Sequence, residues 1–299
     1  MKIWLRRALV TVLVLAIALF GVVEYALFKA RSRMDRRIDI ATYNVAIPTE
    51  AAAIERGKYL FSTRGCVDCH GADGAGRAFI DDGSMRVKGA NISPGPGNVV
   101  ARYTPADWER TLRHGVKPDG RPVLIMPSED YNRLTDADLG ALVAYIQQLP
   151  PASGGAAELV LPLPLRVLYG LGQIPDAASI IDHQRKPSLP VAEGVTVEHG
   201  AYVSAMCIGC HGEHLSGGTI PGGPPDWPPA PNLTPGEGSV MPRYADAQAL
   251  TAMMRQGKRP DGTAIKVMPF DSFKHITDTD VAALHLYLKS LPPRPAGGR

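Results

Sequence analysis

Cys66-Val67-Asp68-Cys69-His70 returns, 141 positions later, as Cys207-Ile208-Gly209-Cys210-His211. These two runs decide how the chain is read. Cys-x-x-Cys-His is the spacing of a c-type haem attachment site. Two thiols about one helical turn apart can each take a vinyl group of one porphyrin, and the adjoining imidazole becomes an axial iron ligand. The chain holds four cysteines, and the two motifs use all of them. A redox Cys-x-x-Cys pair has no need of the following His, and a zinc site would need both motifs in one cluster. The pattern occurs twice, each time ahead of a similar stretch of chain, so two covalently bound haem c groups are expected. Cys66, Cys69, Cys207 and Cys210 carry the thioether bonds, and His70 and His211 ligate the irons.

Each iron needs a sixth ligand, and a His/Met pair gives the raised potential that suits electron transfer. Ile125-Met126-Pro127 lies downstream of the first motif and Val267-Met268-Pro269 downstream of the second. His70 to Met126 is 56 positions and His211 to Met268 is 57. A lone Met is usually core filler, which is the reading for Met85, Met206, Met241, Met253 and Met254. Met126 and Met268 differ because they occupy the same place in a repeat. His114, His183, His199, His214, His275 and His285 could in principle replace a Met. They read instead as surface or hydrogen-bonded core residues, and His214 is too close to His211 to reach the opposite face of the same iron.

The repeat extends well beyond the motifs. Asn91-Ile92-Ser93-Pro94 returns as Asn232-Leu233-Thr234-Pro235, Lys117-Pro118-Asp119-Gly120 as Arg259-Pro260-Asp261-Gly262, and Leu134-Thr135-Asp136 as Ile276-Thr277-Asp278. Gln148-Leu149-Pro150-Pro151 returns as Ser290-Leu291-Pro292-Pro293. Four segments are expected: a membrane anchor with its basic flank at 1–40, a haem domain at 50–152, an apolar proline-rich linker at 153–194 and a second haem domain at 195–294.

On these motifs, both halves resemble the cytochrome c domains of membrane-bound cytochrome c subunits serving bacterial periplasmic dehydrogenases. The best-known of those subunits carry three haem domains, and this chain shows two. The resemblance implies an all-α fold, two tandem cytochrome c domains after an N-terminal transmembrane helix. It also implies that the helix before each haem motif crosses the last helix of its domain, a glycine on the first meeting an aromatic residue on the second. Gly57 with Tyr145 and Gly200 with Tyr287 fit those places.

Local signals agree with helices. Leu139, Leu142, Val143, Ile146 and Leu149 share one helical face over 138–149, Thr135 offers a cap, and Pro150-Pro151 stops the run. Thr104-Pro105 opens a shorter helix. Strand signals are weak. Gly71 to Gly76 is no phosphate loop, because it follows a haem motif rather than a strand and lacks the P-loop lysine. Pro221 to Pro235 reads as a rigid wall beside one haem edge, with Trp227 packing on the haem or shaping a docking face.

Ala8 to Val23 is an unbroken apolar run, extending to Phe28 past Glu24. It has about the 20 residues a membrane span needs and no clear cleavage site after it, so it reads as an uncleaved signal anchor. A cleaved signal peptide is the alternative. Lys2, Arg6 and Arg7 precede the run, and Lys29, Arg31, Arg33, Arg36 and Arg37 follow it. The positive-inside rule alone would place the C-terminal side in the cytoplasm. Covalent haem attachment on the outer face of the bacterial inner membrane overrides it, so the haem domains are placed in the periplasm. The later basic cluster is read as resting on anionic lipid headgroups or as a solvated start to the linker.

Residues 1–40 hold 8 basic and 3 acidic side chains, and residues 41–299 hold 24 and 26. The globular part is therefore mildly acidic, which gives no reason to expect nucleic-acid binding. The partners expected are the inner membrane and redox proteins: a dehydrogenase, an oxidase or another cytochrome. The function expected is single-electron transfer between a periplasmic donor and a respiratory acceptor, with no catalytic residue. The alternatives are a haem enzyme such as a dihaem peroxidase and an obligate subunit of a dehydrogenase or oxidase complex. The apolar linker run Leu159 to Tyr169 is expected to pack along both domains, or to contact a membrane surface or partner.

Overall fold

The computed structural model describes residues 3–221, 223–224 and 226–298; Lys2 of the first basic cluster and Gly222 and Pro225 of the proline-rich loop lie outside them. A long helix, α1 (Ile3–Asp35), comes first. The first domain follows as α2 (Ala51–Thr63), α3 (Cys66–His70), strands β1 (Ala78–Asp81) and β2 (Arg86–Lys88), α4 (Pro105–His114), α5 (Ser128–Tyr131) and α6 (Asp136–Ile146). The linker contributes β3 (Glu158–Val160), α7 (Leu163–Gly170) and α8 (Ala177–Ile180). The second domain repeats the helices of the first as α9 (Val197–Val203), α10 (Ile208–His211), α11 (Ala247–Gln256), α12 (Phe270–Phe273) and α13 (Asp278–Ser290).

Each domain closes around its own apolar cluster. Leu60, Phe61, Trp108, Leu139, Leu142 and Ile146 fill the first, and Val203, Leu250, Phe273, Val281, Leu284 and Leu288 fill the second. The crossing of first and last helix is present in both. A Cβ at Gly57 would run into the carbonyl of Ala141 and the Cβ of Tyr145, and one at Gly200 into the carbonyl of Ala283 and the Cβ of Tyr287. Glycine is needed there because the backbones themselves touch. Thr135 and Thr277 cap the last helices, accepting from the backbone N–H of Asp138 (3.0 Å) and Asp280 (3.1 Å). Thr104 closes a full capping box with Asp107.

The small sheet in the order β1-β2-β3 is an addition to the all-helical expectation. Its strands have only three or four residues, too short to show a period of two. Charge helps to hold it: Glu158 of β3 pairs with Lys88 (3.1 Å) and Arg86 (3.2 Å) of β2, while Val87 is buried between them. Through β3 the linker becomes part of the first domain. His183 faces His114 of α4 at 3.1 Å, and the hydroxyl of Ser188 donates to the carbonyl of Arg133. The linker thus packs on the first domain and on α1.

Three residues of the basic cluster after the apolar run, Arg33, Arg36 and Arg37, are engaged by protein. Arg36 grips the buried carboxylate of Asp176 with two nitrogens (2.8 and 2.5 Å). Tyr169 donates to the same carboxylate (2.7 Å). Arg33 lies over the Tyr169 ring, 4.7 Å from its centre, and donates to its carbonyl. Arg37 bonds to the carbonyl of Asp119, and the N–H of Ile38 donates to Gly120. Lys29 and Arg31 remain exposed.

The two domains meet directly and almost symmetrically. Tyr59 of α2 donates to Asp280 of α13 (2.6 Å), and Tyr202 of α9 donates to Asp138 of α6 (2.6 Å). Each tyrosine oxygen also accepts the backbone N–H of the other domain's capping threonine, Thr277 or Thr135, at 3.3 Å. Each aspartate is held from its own side as well, Asp138 by Arg56 (2.9 and 2.8 Å) and Asp280 by His199 (2.8 Å). The buried guanidinium of Arg64 lies between the domains, 2.7 Å from the sulfur of Met206 and 4.0 Å from Asp280.

Hydrogen bonds to a charged carboxylate contribute about 1.5–3 kcal/mol each. Replacing Tyr59 and Tyr202 together by Phe should therefore lower the denaturant midpoint of the holo-protein and separate the unfolding of the two halves. An unchanged single transition would show that apolar packing alone joins them. Burial raises the pKa of Asp138, but the bonds from Arg56 and Tyr202 outweigh burial and hold it below the ordinary carboxylate range. A depressed pKa contributes stability at neutral pH that is lost as pH falls through the folded-state value. Asp138→Asn should lower stability at pH 7 and flatten the acid limb below about pH 4, as read by thermal melts across pH. A limb as steep as the parent's would place the acid sensitivity elsewhere.

Candidate haem sites

Each Cys-x-x-Cys-His run is a single helical turn closed by a glycine. Gly71 and Gly212 follow the histidines at φ of 75° and 80° and turn the chain back across them. Gly76 donates its N–H to the carbonyl of His70 (2.8 Å), and Gly217 does the same to His211 (2.9 Å). Across the turn lies the imidazole's own partner. His70 Nδ1 is 2.8 Å from the carbonyl of Ala90, and His211 Nδ1 is 2.9 Å from the carbonyl of Pro231. A carbonyl only accepts, so Nδ1 carries the proton and Nε2 presents its lone pair. Burial lowers the pKa of His70, against a smaller raising effect from the bond to Ala90. The ring is therefore neutral, as a metal ligand must be.

The repeated asparagines set that carbonyl. Asn91 follows Ala90, and Asn232 follows Pro231. Asn91 Oδ1 accepts from the N–H and hydroxyl of Ser93 (2.9 and 2.7 Å), and its Nδ2 donates to the carbonyl of Ala152 (2.8 Å). Asn232 does the same with Thr234 (2.9 and 2.8 Å) and the carbonyl of Arg294 (2.7 Å). Both asparagines are buried. Each one ties the segment beside its histidine to the tail that follows the Leu-Pro-Pro end of its domain.

The methionines are held by an equally local device. Pro127 lies at φ −79°, ψ 64°, and Pro269 at −80°, 67°. These are inverse γ-turn values, and the matching bonds are present: Ser128 N–H to the carbonyl of Met126 and Phe270 N–H to that of Met268, both 2.9 Å. The Pro-Asp-Gly turns deliver the chain to these points. Gly120 donates to Lys117 (2.8 Å) and Gly262 to Arg259 (2.9 Å), each glycine at positive φ. Met126 packs against the first cluster, which includes Cys66; Met268 packs against the second, along with Cys207. All eight candidate residues thus fall into two sets, one per domain: Cys66, Cys69, His70 and Met126, then Cys207, Cys210, His211 and Met268.

The donor chemistry fits a covalently held haem. Among the described residues no disulfide joins any of the four thiols, and no group of three His, Cys, Asp or Glu stands ready for a metal ion. Burial pushes Cys66 and Cys207 up to about 12 and Cys69 to about 11. Redox-active cysteines have depressed values instead. A cavity of about 400 Å³ opens in the first domain among Ile92, Val100, Tyr103, Trp108 and Ile146. A larger cleft of about 680 Å³ reaches Met126 on one side and Ile208 and Gly209 of the second motif on the other, with Trp227 at its rim.

Contacts from each motif to the other domain were not read from the sequence. The hydroxyl of Ser272 donates to Asp68, inside the first motif (2.8 Å), and the N–H of Gly209, inside the second, donates to Asp130 (3.1 Å). Burial raises Asp130 to about 8, aided by the neighbouring Glu129. The repeat held the signal: Asp68 and Gly209 occupy one place in it, and Asp130 and Ser272 another, each four residues past its methionine. The other histidines have protein partners where they are buried. His199 meets Asp280, His285 meets the carbonyl of Tyr244 (2.9 Å), and His114 meets Glu109 (3.2 Å).

Comparison with known proteins agrees with this geometry. The cytochrome c family matches residues 54–150 and again 197–292. The chain is 29% identical over 286 residues to the fructose dehydrogenase cytochrome subunit of Gluconobacter japonicus, covering 84% of this chain and 56% of that protein. It is 28% identical over 274 residues to the cytochrome c subunit of the quinone alcohol dehydrogenase of Gluconacetobacter polyoxogenes, covering 82% and 57%. A diheme cytochrome c-type protein of Cereibacter sphaeroides is 30% identical over 129 residues, 38% of this chain and 43% of that one. The chain thus spans little more than half the length of the two dehydrogenase subunits. With two matched domains, each built around its own Cys-x-x-Cys-His turn, the chain belongs to the cytochrome c family and carries two covalently bound haem c groups.

Proposed function

We propose that this chain is a membrane-tethered dihaem electron carrier. It passes single electrons from a donor on the outer face of the bacterial inner membrane to a respiratory acceptor. His70 and Met126 ligate one iron, His211 and Met268 the other, and the four cysteines form the thioether bonds. The observation that carries the reading is the duplicated site: in both domains the imidazole is aimed by a backbone carbonyl and the methionine is fixed by a proline γ-turn. Each haem, when bound, supplies a ferric/ferrous couple, whose potential a thioether ligand raises.

The chain's own residues hold this couple rigid. Ala90 and Pro231 orient the imidazoles, the γ-turns fix the methionine backbone, and the Asp68–Ser272 and Asp130–Gly209 bonds tie each motif to the short helix that follows the other domain's methionine. Rigid ligation suits a carrier, because electron exchange then requires little rearrangement. A peroxidase would instead need one displaceable ligand beside an acid–base group, whereas both copies here have the same methionine turn. The membrane tether is α1, whose apolar window has a mean hydropathy of 2.4 with none of it buried in protein.

A second reading, an electron-transfer subunit of a membrane dehydrogenase complex, is favoured by the likeness to dehydrogenase cytochrome subunits over most of the chain. Co-purification of a catalytic subunit from detergent-solubilised membranes would support it, and a chain isolated alone with full redox activity would support the free carrier.

An optical redox titration of the full chain in detergent tests the main reading. Two low-spin haems should titrate at raised potentials, each with a ferric methionine–iron charge-transfer band. One high-spin haem in the parent protein would overturn the carrier assignment. Met126→Ala or Met268→Ala should each remove one band and lower one potential; an unchanged spectrum would sink that ligand. Asn91→Ala should shift the potential of the first haem while the second keeps its value, because it frees the Ala90 carbonyl. If neither potential moves, Asn91 only supports the fold.

A further inference from the structure

The linker holds one helix that neither haem domain covers. At about 100° per residue, Leu163, Pro164, Val167, Leu168 and Leu171 of α7 and its C-terminal end fall on one arc of about 140°, and no charged side chain lies on it. Leu163, Leu168 and Leu171 are 52%, 39% and 44% exposed. The rest of the helix is committed. A Cβ at Gly170 would strike the carbonyl of Ala26, and it would also crowd the N–H of Ala30, so α7 lies backbone to backbone on α1. Tyr169 is buried under Arg33 and bonded to Asp176.

The point of contact on α1 says what covers the arc. The uninterrupted apolar run of α1 ends at Val23. Ala26 and Ala30, the residues α7 touches, follow within two turns, at the level where acyl chains give way to headgroups. Tyr25 and Phe28 are exposed at the same level, where aromatic side chains gather at membrane interfaces. Lys29 and Arg31 are exposed there too, within reach of lipid phosphates. An apolar helix face held at this height by the span itself meets the bilayer surface.

We infer that α7 is an interfacial foot: its Leu163–Leu168–Leu171 face lies in the outer leaflet beside the membrane span. This rests on α1 crossing the membrane, and it adds a second point of attachment. A single helix would leave the haem domains free to swing. Two points, locked together at Gly170 and by the Arg36–Asp176 pair, fix the height and tilt of the first domain over the membrane, with the Met126 cleft lined in part by Leu165 and Tyr169 of the same helix.

The test places a benzophenone amino acid at Leu163 or Leu171 in the full haem-loaded chain, reconstituted in phosphatidylcholine–phosphatidylglycerol nanodiscs. Leu15, in the apolar run, and the exposed Thr263, in the second domain, serve as references. Lipid adducts at 163 and 171, read by mass spectrometry, should exceed those at 263 at least fivefold and approach those at 15. Adducts at 15 but none above the 263 level at 163 and 171 would overturn the foot and leave the span standing. Absence of adducts at 15 would overturn both. Cross-links to a second copy in place of lipid would hand the face to self-association and overturn the inference.

Discussion

The backbone carbonyl that faces each haem-motif imidazole is the constraint on which the rest of this fold depends. A histidine side chain two bonds from its helix can rotate, and in the proposed haem sites a rotating imidazole would set no fixed potential. Ala90 and Pro231 stop that rotation with one hydrogen bond each. Asn91 and Asn232 tie the segments that carry these carbonyls to the domain tails, and the tails follow the last helices, which cross the first at Gly57 and Gly200. Ligand orientation, tail and helix crossing therefore form one chain of dependence in each domain, which explains why these elements recur together in the repeat.

The domain interface follows a different logic. It buries two carboxylates, Asp138 and Asp280, which would be costly if unpaired. Each is met by a base from its own domain and a phenol from the other, and each phenol in turn accepts an N–H from a capping threonine. The same aspartates begin the last helices, where the helix dipole favours negative charge. Capping and domain docking thus use the same residues. The copies have diverged around this plan: Arg56 fills in the first domain the place His199 takes in the second, and Asp68 with Ser272 fills the place of Gly209 with Asp130. What persists is a donor facing an acceptor across the boundary, with the partners free to change.

Much of this was legible in the sequence because it is written twice. A methionine is uninformative alone, but Met126 and Met268 at matching distances from their histidines are not, and both lie in a turn of identical geometry. Gly57 and Gly200 were readable for the same reason. The three-stranded sheet was not, because strands of three or four residues carry no usable period and β3 belongs to the linker. The reciprocal tyrosines were not either. Tyr59 and Tyr202 occupy the same place in the repeat, but partners 221 and 64 positions away leave no local signature. The partners of the basic flank were hidden for a related reason: charge counting treats every arginine as free, whereas Arg33, Arg36 and Arg37 spend their donors on the linker and the first domain.

That expenditure bears on how α1 sits. In the folded chain Asp176 neutralises Arg36 directly, and Arg33 and Arg37 are tied to Tyr169 and to the Pro-Asp-Gly turn of the first domain. The arginines thereby become the mechanical joint between α1 and the first domain. Arg36 meets a carboxylate that is 2% exposed, so the joint is shielded from the salt screening that weakens surface pairs. The residues that charge counting treats as free cations are therefore the ones that hold the first domain to α1.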